Sequence, residues 1–110
     1  MSVKDAIDRK WEWMLANEET IVRRTVEAAA RFPSLRRLFP YASHQNLWFS
    51  RKTEYPYDRE LPHIRYEYEK FHAVGCDNSV LFVGKLEDVV FHVATAMEGL
   101  HLDKSEARPR

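Results

Sequence analysis

Ile7, Trp11, Met14, Leu15, Val22, Val26 and Ala29 recur at the spacing that lines one side of a helix. Ser2 with Asp5 three positions on is a capping-box pattern and predicts a helix start near Val3. Asn17-Glu18-Glu19 interrupts the stripe. The reading is one long helix or a pair of abutting helices ending before Pro33, with Asn17 as cap of the second and Glu18 and Glu19 facing its positive end. Pro33 disfavours helix at Phe32, and Ser34 is placed to cap one short turn through Leu38 before Pro40 stops it. Trp11 and Trp13 lie roughly 200° apart around the helix and cannot share a face. Either Trp13 lies over the domain's own loops, or it meets a partner subunit.

Beyond Ser43 the period changes to two. Leu47, Phe49 and Arg51 alternate with Trp48, Ser50 and Lys52, which predicts a strand over Asn46 to Lys52. Thr53 to Pro62 carries two prolines and three acids and reads as a surface loop. Ile64, Tyr66 and Tyr68 alternate with Arg65, Glu67 and Glu69, a half-buried strand, and a bulge or turn near Glu69-Lys70 accounts for the change of phase at Phe71 and Ala73. Asp77-Asn78 suits a tight turn before a short strand over Ser79 to Val83. Leu86, Val90, Val93 and Met97 stripe a last helix over Leu86 to Glu98, with Gly99 as its stop. The predicted fold is α+β: an N-terminal helix or helix pair, an antiparallel sheet of three to four strands and a C-terminal helix, with the helices on one face of the sheet. Residues 1–100 are expected to form a single domain and 101–110 a flexible tail.

Size and composition narrow the function classes. The chain has 110 residues, 45% apolar and 31% charged, the balance of an ordinary globular domain. A chain this long buries roughly 65% of its unfolded surface, enough for one two-layer core. The formal net charge is zero. A general nucleic-acid binder would carry a basic surplus, so no nucleic-acid partner is expected. Cys76 is the only cysteine, which precludes an internal disulfide and suits a reducing compartment. Met1-Ser2-Val3-Lys4-Asp5 lacks the apolar stretch of a signal peptide, and no apolar run nears the roughly 20 residues that cross a bilayer, so a cytoplasmic location without a membrane partner is expected.

Charge is unevenly spread within this neutral total. Between Glu27 and Glu54 there is no acid, while Arg31, Arg36, Arg37, Arg51 and Lys52 place five positive charges there. Either these arginines line a solvated turn, or Arg36 or Arg37 with Arg51 surround a carboxylate or phosphate that a planar guanidinium fork binds bidentately. Trp48 and Tyr57 are candidate walls of such a site, and Tyr55 and Tyr57 a candidate lid. His44 either hydrogen-bonds the junction together with Ser43 or serves as a general acid–base, with Asp58 or Glu60 orienting it and Arg51 stabilising developing negative charge. The five histidines show no i, i+4 pairing, so no metal is expected, and no cofactor is implied. His72 and Cys76, four residues apart on an extended strand, are separated by roughly 13 Å, too far for a Cys–His pair.

The run Pro33-Ser34-Leu35-Arg36-Arg37-Leu38-Phe39-Pro40, then Ser43-His44 and Leu47-Trp48-Phe49-Ser50, resembles a family of small actinobacterial proteins of unknown function. Its members are often labelled natural-product biosynthesis proteins. The likeness spans roughly residues 30 to 100, with Gly84 and the helix bearing Val89, Val90 and Val93 filling its later places. It implies a setting in bacterial specialised metabolism and brings no established catalytic residues. The expectation is a small cytosolic accessory protein binding a small anionic or aromatic molecule or a partner protein. The alternatives are a cofactor-independent cyclase, isomerase or hydratase working through His44, and a protein-binding immunity or scaffold module, with a homodimer through Trp13 as one form.

Overall fold

Ser2 accepts a hydrogen bond from the Asp5 backbone N–H at 3.1 Å, and helix α1 (Val3–Asn17) starts there, as the capping pattern predicts. The structure is a computed structural model that describes residues 2–100. The expected tail over 101–110 lies outside the described residues.

The interruption at Asn17 separates two helices, and α2 (Thr20–Ala29) follows. Asn17 does not cap it. Its side-chain amide donates back to the Trp13 carbonyl at 2.8 Å, and Glu19 takes the cap position without a side-chain bond. α3 (Pro33–Arg36) is a single turn with Pro33 at its first position, where a missing N–H costs nothing. Ser34 is not its cap either: Phe32 holds that place, and the buried Ser34 hydroxyl donates to the Ala94 carbonyl at 3.3 Å.

The sheet has five strands, against the three to four expected: β1 (Phe39–Ser43), β2 (Asn46–Ser50), β3 (His63–Glu67), β4 (Lys70–Val74) and β5 (Val80–Gly84). They form an antiparallel meander in the order β1-β2-β3-β4-β5. The unexpected strand is β1, where Pro40 pairs with Phe49. A proline lacks a donor, but on an edge strand its N side faces away from the ladder and nothing is lost. The change of phase after Tyr66 is a two-residue turn, with Tyr68 and Glu69 both at positive φ (54° and 61°). Asn78, at φ 68°, serves the turn into β5. The final helix α4 (Leu86–Gly99) runs one residue past the expected stop: Gly99 is still helical, and Leu100 caps in the right-handed region.

Helices α1, α2 and α4 cover one face of the sheet, over β1, β2 and β3–β5 respectively. Leu47, Phe49, Ile64 and Ala73 point into that layer, against Trp11, Met14, Val26, Val90 and Val93. Trp11 is fully buried and Trp13 is 52% exposed, the split that their angular separation requires. No helix among the described residues is long and apolar enough to cross a membrane.

The segment between β2 and β3 is not merely a surface loop. Asp58, Leu61 and Pro62 are buried, because this segment folds back beneath the helix-free face. Asp58 N–H donates to Ser50 Oγ at 3.0 Å, and the Tyr41 hydroxyl donates to the Asp58 carbonyl.

Candidate functional site

A groove of about 710 Å³ opens between the start of α1, α3 and the end of β2. From α1 it takes Val3, Lys4, Ile7 and Asp8, which share one side of the helix through i, i+4 spacing. Pro33, Arg36, Arg37 and Leu38 come from α3 and the link to β1, and Arg51 comes from the residue after β2. The strand pairing accounts for this convergence. Phe39 lies opposite Ser50, so the residues just before β1 and just after β2 meet at one end of the hairpin.

Local contacts orient the cations. Asp8 accepts from Lys4 Nζ and from Arg36 Nη1, each at 2.9 Å. The Lys4 ammonium and then the Arg36 guanidinium hold the Asp8 carboxyl below its ordinary range. The Arg36 guanidinium also lies 5.5 Å from the centre of the Trp11 ring, whose Nε1–H donates to the Leu38 carbonyl at 2.9 Å. The groove wall is thereby tied to the core. Arg51 is set from the other side: Asp58 Oδ2 accepts from its backbone N–H at 2.7 Å and from Nε at 3.1 Å, and Oδ1 accepts from Nη2 at 3.3 Å. Burial works to raise the Asp58 carboxyl, but the side-chain and backbone hydrogen bonds from Arg51 outweigh it and hold the group ionised.

Of the residues singled out in the sequence, the fold brings Arg36, Arg37 and Arg51 to one groove. The others go elsewhere. His44 sits in the turn between β1 and β2 at φ 60°, exposed, at the opposite end of the hairpin from Arg51. The five residues of β2 hold the two ends roughly 16 Å apart. His44 instead borders a small polar cleft with Glu18 and Glu19. Asp58 is engaged with Arg51 and Glu60 is exposed, so the acid–base trio His44, Asp58 and Glu60 does not assemble.

Trp48 and Tyr57 are not walls of the groove. Trp48 alternates with Leu47 and Phe49, which face the helices, so it points to the opposite side of the sheet. There it stacks on His63, with ring centres 3.7 Å apart and planes 15° apart. Tyr57 packs on Phe39 and Tyr41, with ring centres 5.3 and 4.8 Å away. Tyr55 is 82% exposed and touches Tyr57 edge-on.

Sequence reasoning missed the α1 contribution, because Ile7 reads as core stripe and no pattern marks Lys4 or Asp8. It also missed His63, which is 2% exposed. Alternation held the signal: His63 and Arg65 oppose Ile64 and Tyr66, so a buried Ile64 puts His63 on the Trp48 side. Burial foremost pushes the His63 imidazole down to about 4. Among the described residues no group of three or more His, Cys, Asp or Glu could hold a metal ion, and Cys76 is exposed.

The family of unknown function DUF6193 matches residues 5–100 of this chain, and the chain belongs to that family. The match takes in α1 and α2 as well as the stretch from Pro33 onward that carries the sequence resemblance. No curated protein and no solved structure matches the chain.

Proposed function

We propose that this protein is a small accessory binding protein of bacterial specialised metabolism, working in the cytoplasm, and that its groove holds an anionic molecule with an apolar or aromatic body. One observation carries the reading. In a chain of zero net charge, Lys4, Arg36, Arg37 and Arg51 line a single groove alongside Val3, Ile7, Pro33 and Leu38. Asp8 is the one acid among the lining residues. Cations beside an apolar floor suit a carboxylate or phosphate joined to a hydrophobic body, the charge meeting guanidinium N–H groups and the body displacing water from Ile7 and Leu38. Asp8 and Asp58 hold Arg36 and Arg51 in place, which lowers the entropy cost of engaging a ligand. The acid–base alternative is not favoured, because His44 lies at the far end of the hairpin.

The test is calorimetry of the full chain with benzoate, 4-hydroxycinnamate, octanoate and inorganic phosphate, against Arg37→Ala. A hydrogen bond to a charged group contributes about 1.5–3 kcal/mol, so Arg37→Ala is expected to weaken the best-bound anion about 10-fold or more. Binding of no probe, or equal binding by the wild type and the variant, would remove the groove as the site.

A further inference from the structure

The two edges of the sheet are treated differently. β1 carries Pro40 and has α1 packed against it, both ordinary ways of closing an edge. β5 has neither. Its sequence, Val80-Leu81-Phe82-Val83-Gly84, holds no charge and no proline, and it lies at the end of the strand order. Val80, Leu81 and Val83 are 44–49% exposed. On α4, Phe91 is 57% exposed and meets His92 edge-on, and His92 stacks on Phe82 with ring centres 4.2 Å apart. The rings of Phe91 and His92 adjoin β5 through Phe82 on the helix-covered face, while Leu81 and Val83 alternate with Phe82 and point to the opposite face. A bulge opposite Val74 is the one blunting feature on β5, and it affects only the first residues of the strand.

We infer that this edge pairs with β5 of a second copy, antiparallel about a two-fold axis near the middle of the strand, to join two sheets into one. Charge favours a second copy over an unrelated strand. Asp77 and Lys85 flank β5 at its opposite ends and both are exposed, with no charge between them. Antiparallel self-pairing about Leu81 brings each copy's Asp77 opposite the other copy's Lys85, with Glu87 and Asp88 one step further on at the start of α4. Trp13, the expected dimer contact, plays no part, since it lies on α1 over the far edge.

Sedimentation velocity of the full chain across about 10–300 μM tests the inference, with Leu81→Lys/Val83→Lys, Lys85→Glu and Trp13→Ala alongside. The wild type is expected to form a concentration-dependent dimer. The double variant is expected to be monomeric with an unchanged circular dichroism spectrum, since both side chains are exposed. Lys85→Glu, which sets an acid toward Asp77, should raise the dimer dissociation constant about 3- to 10-fold across the two symmetric contacts, and Trp13→Ala should leave it unchanged. A wild type that stays monomeric throughout, or a dimer that survives Leu81→Lys/Val83→Lys or is lost in Trp13→Ala, would overturn the assignment.

Discussion

The two faces of the sheet solve the same burial problem by different means. On the helix-covered face, Leu47, Phe49, Ile64 and Ala73 meet aliphatic side chains of α1, α2 and α4, and the one large polar ring there, Trp11, has its N–H paired with the Leu38 carbonyl. On the other face, Tyr41, Trp48, Tyr57 and His63 stack beneath the loop that precedes β3, with buried Asp58 as their neighbour. Trp48 Nε1 and His63 Nε2 are both buried there without a hydrogen-bond partner. Each such orphaned group costs about 1–3 kcal/mol relative to a satisfied one. The helix face is therefore where stability accumulates. The loop face keeps an aromatic layer whose polar atoms are incompletely paired, and its stability should depend on pH.

The largest expected effect is on the first face. Trp11→Ala removes a fully buried ring, the bond to Leu38 and the surface on which Arg36 rests, and should cost about 3–5 kcal/mol in urea unfolding. A loss below about 1 kcal/mol would mean that the helix face is not the principal source of stability.

The second effect belongs to His63. Its folded value is about 4, against 6.5 for a free imidazole, so between these values the unfolded chain binds more protons than the folded one. Stability is then full above about pH 6.5, falls as pH drops toward 4, and is flat below for this group. The full span is worth about 3 kcal/mol. Urea midpoints from pH 7.5 to 4.5 should fall in the wild type and flatten in His63→Phe, which keeps the stack on Trp48 without a titrating nitrogen. An identical slope in the two proteins would assign the acid sensitivity to other groups.

The smallest of the three concerns the loop. Asp58→Ala removes the acceptor for Arg51 and should destabilise by about 2 kcal/mol. It should also speed tryptic cleavage after Lys52 and Arg59, because the segment then loses one of its ties to the sheet. Cleavage as slow as in the wild type would show that the aromatic contacts of Tyr57 alone hold the loop.

Local patterns were legible where one short-range rule acts alone. The Ser2 cap, the opposed tryptophans, the break after Asn17 and the α4 stripe all follow from helical geometry, the turn near Glu69 from a change of phase, and the turn at Asp77-Asn78 from residue types that tolerate positive φ. Pro40 misled because its effect depends on whether its strand is central or at an edge, which is a property of the assembled sheet. Asn17 and Ser34 misled because each found another hydrogen-bond partner, Asn17 one turn back in its own helix and Ser34 sixty residues on in α4.

The candidate site divides in the same way. The acid-free run between Glu27 and Glu54 already announced a concentration of cations, and alternation along β2 already separated Trp48 from Leu47 and Phe49. By itself, then, the chain determined an α+β domain, its helix faces and a basic segment at the helix-to-strand junction. Only the tertiary structure decided that Arg36, Arg37 and Arg51 meet Lys4 and Ile7, that His44 is carried away from them, and that β5 is left as an open apolar edge. Periodicity acts over a few residues and survives in the linear code, whereas the meeting of distant segments depends on strand register and on which face each helix covers.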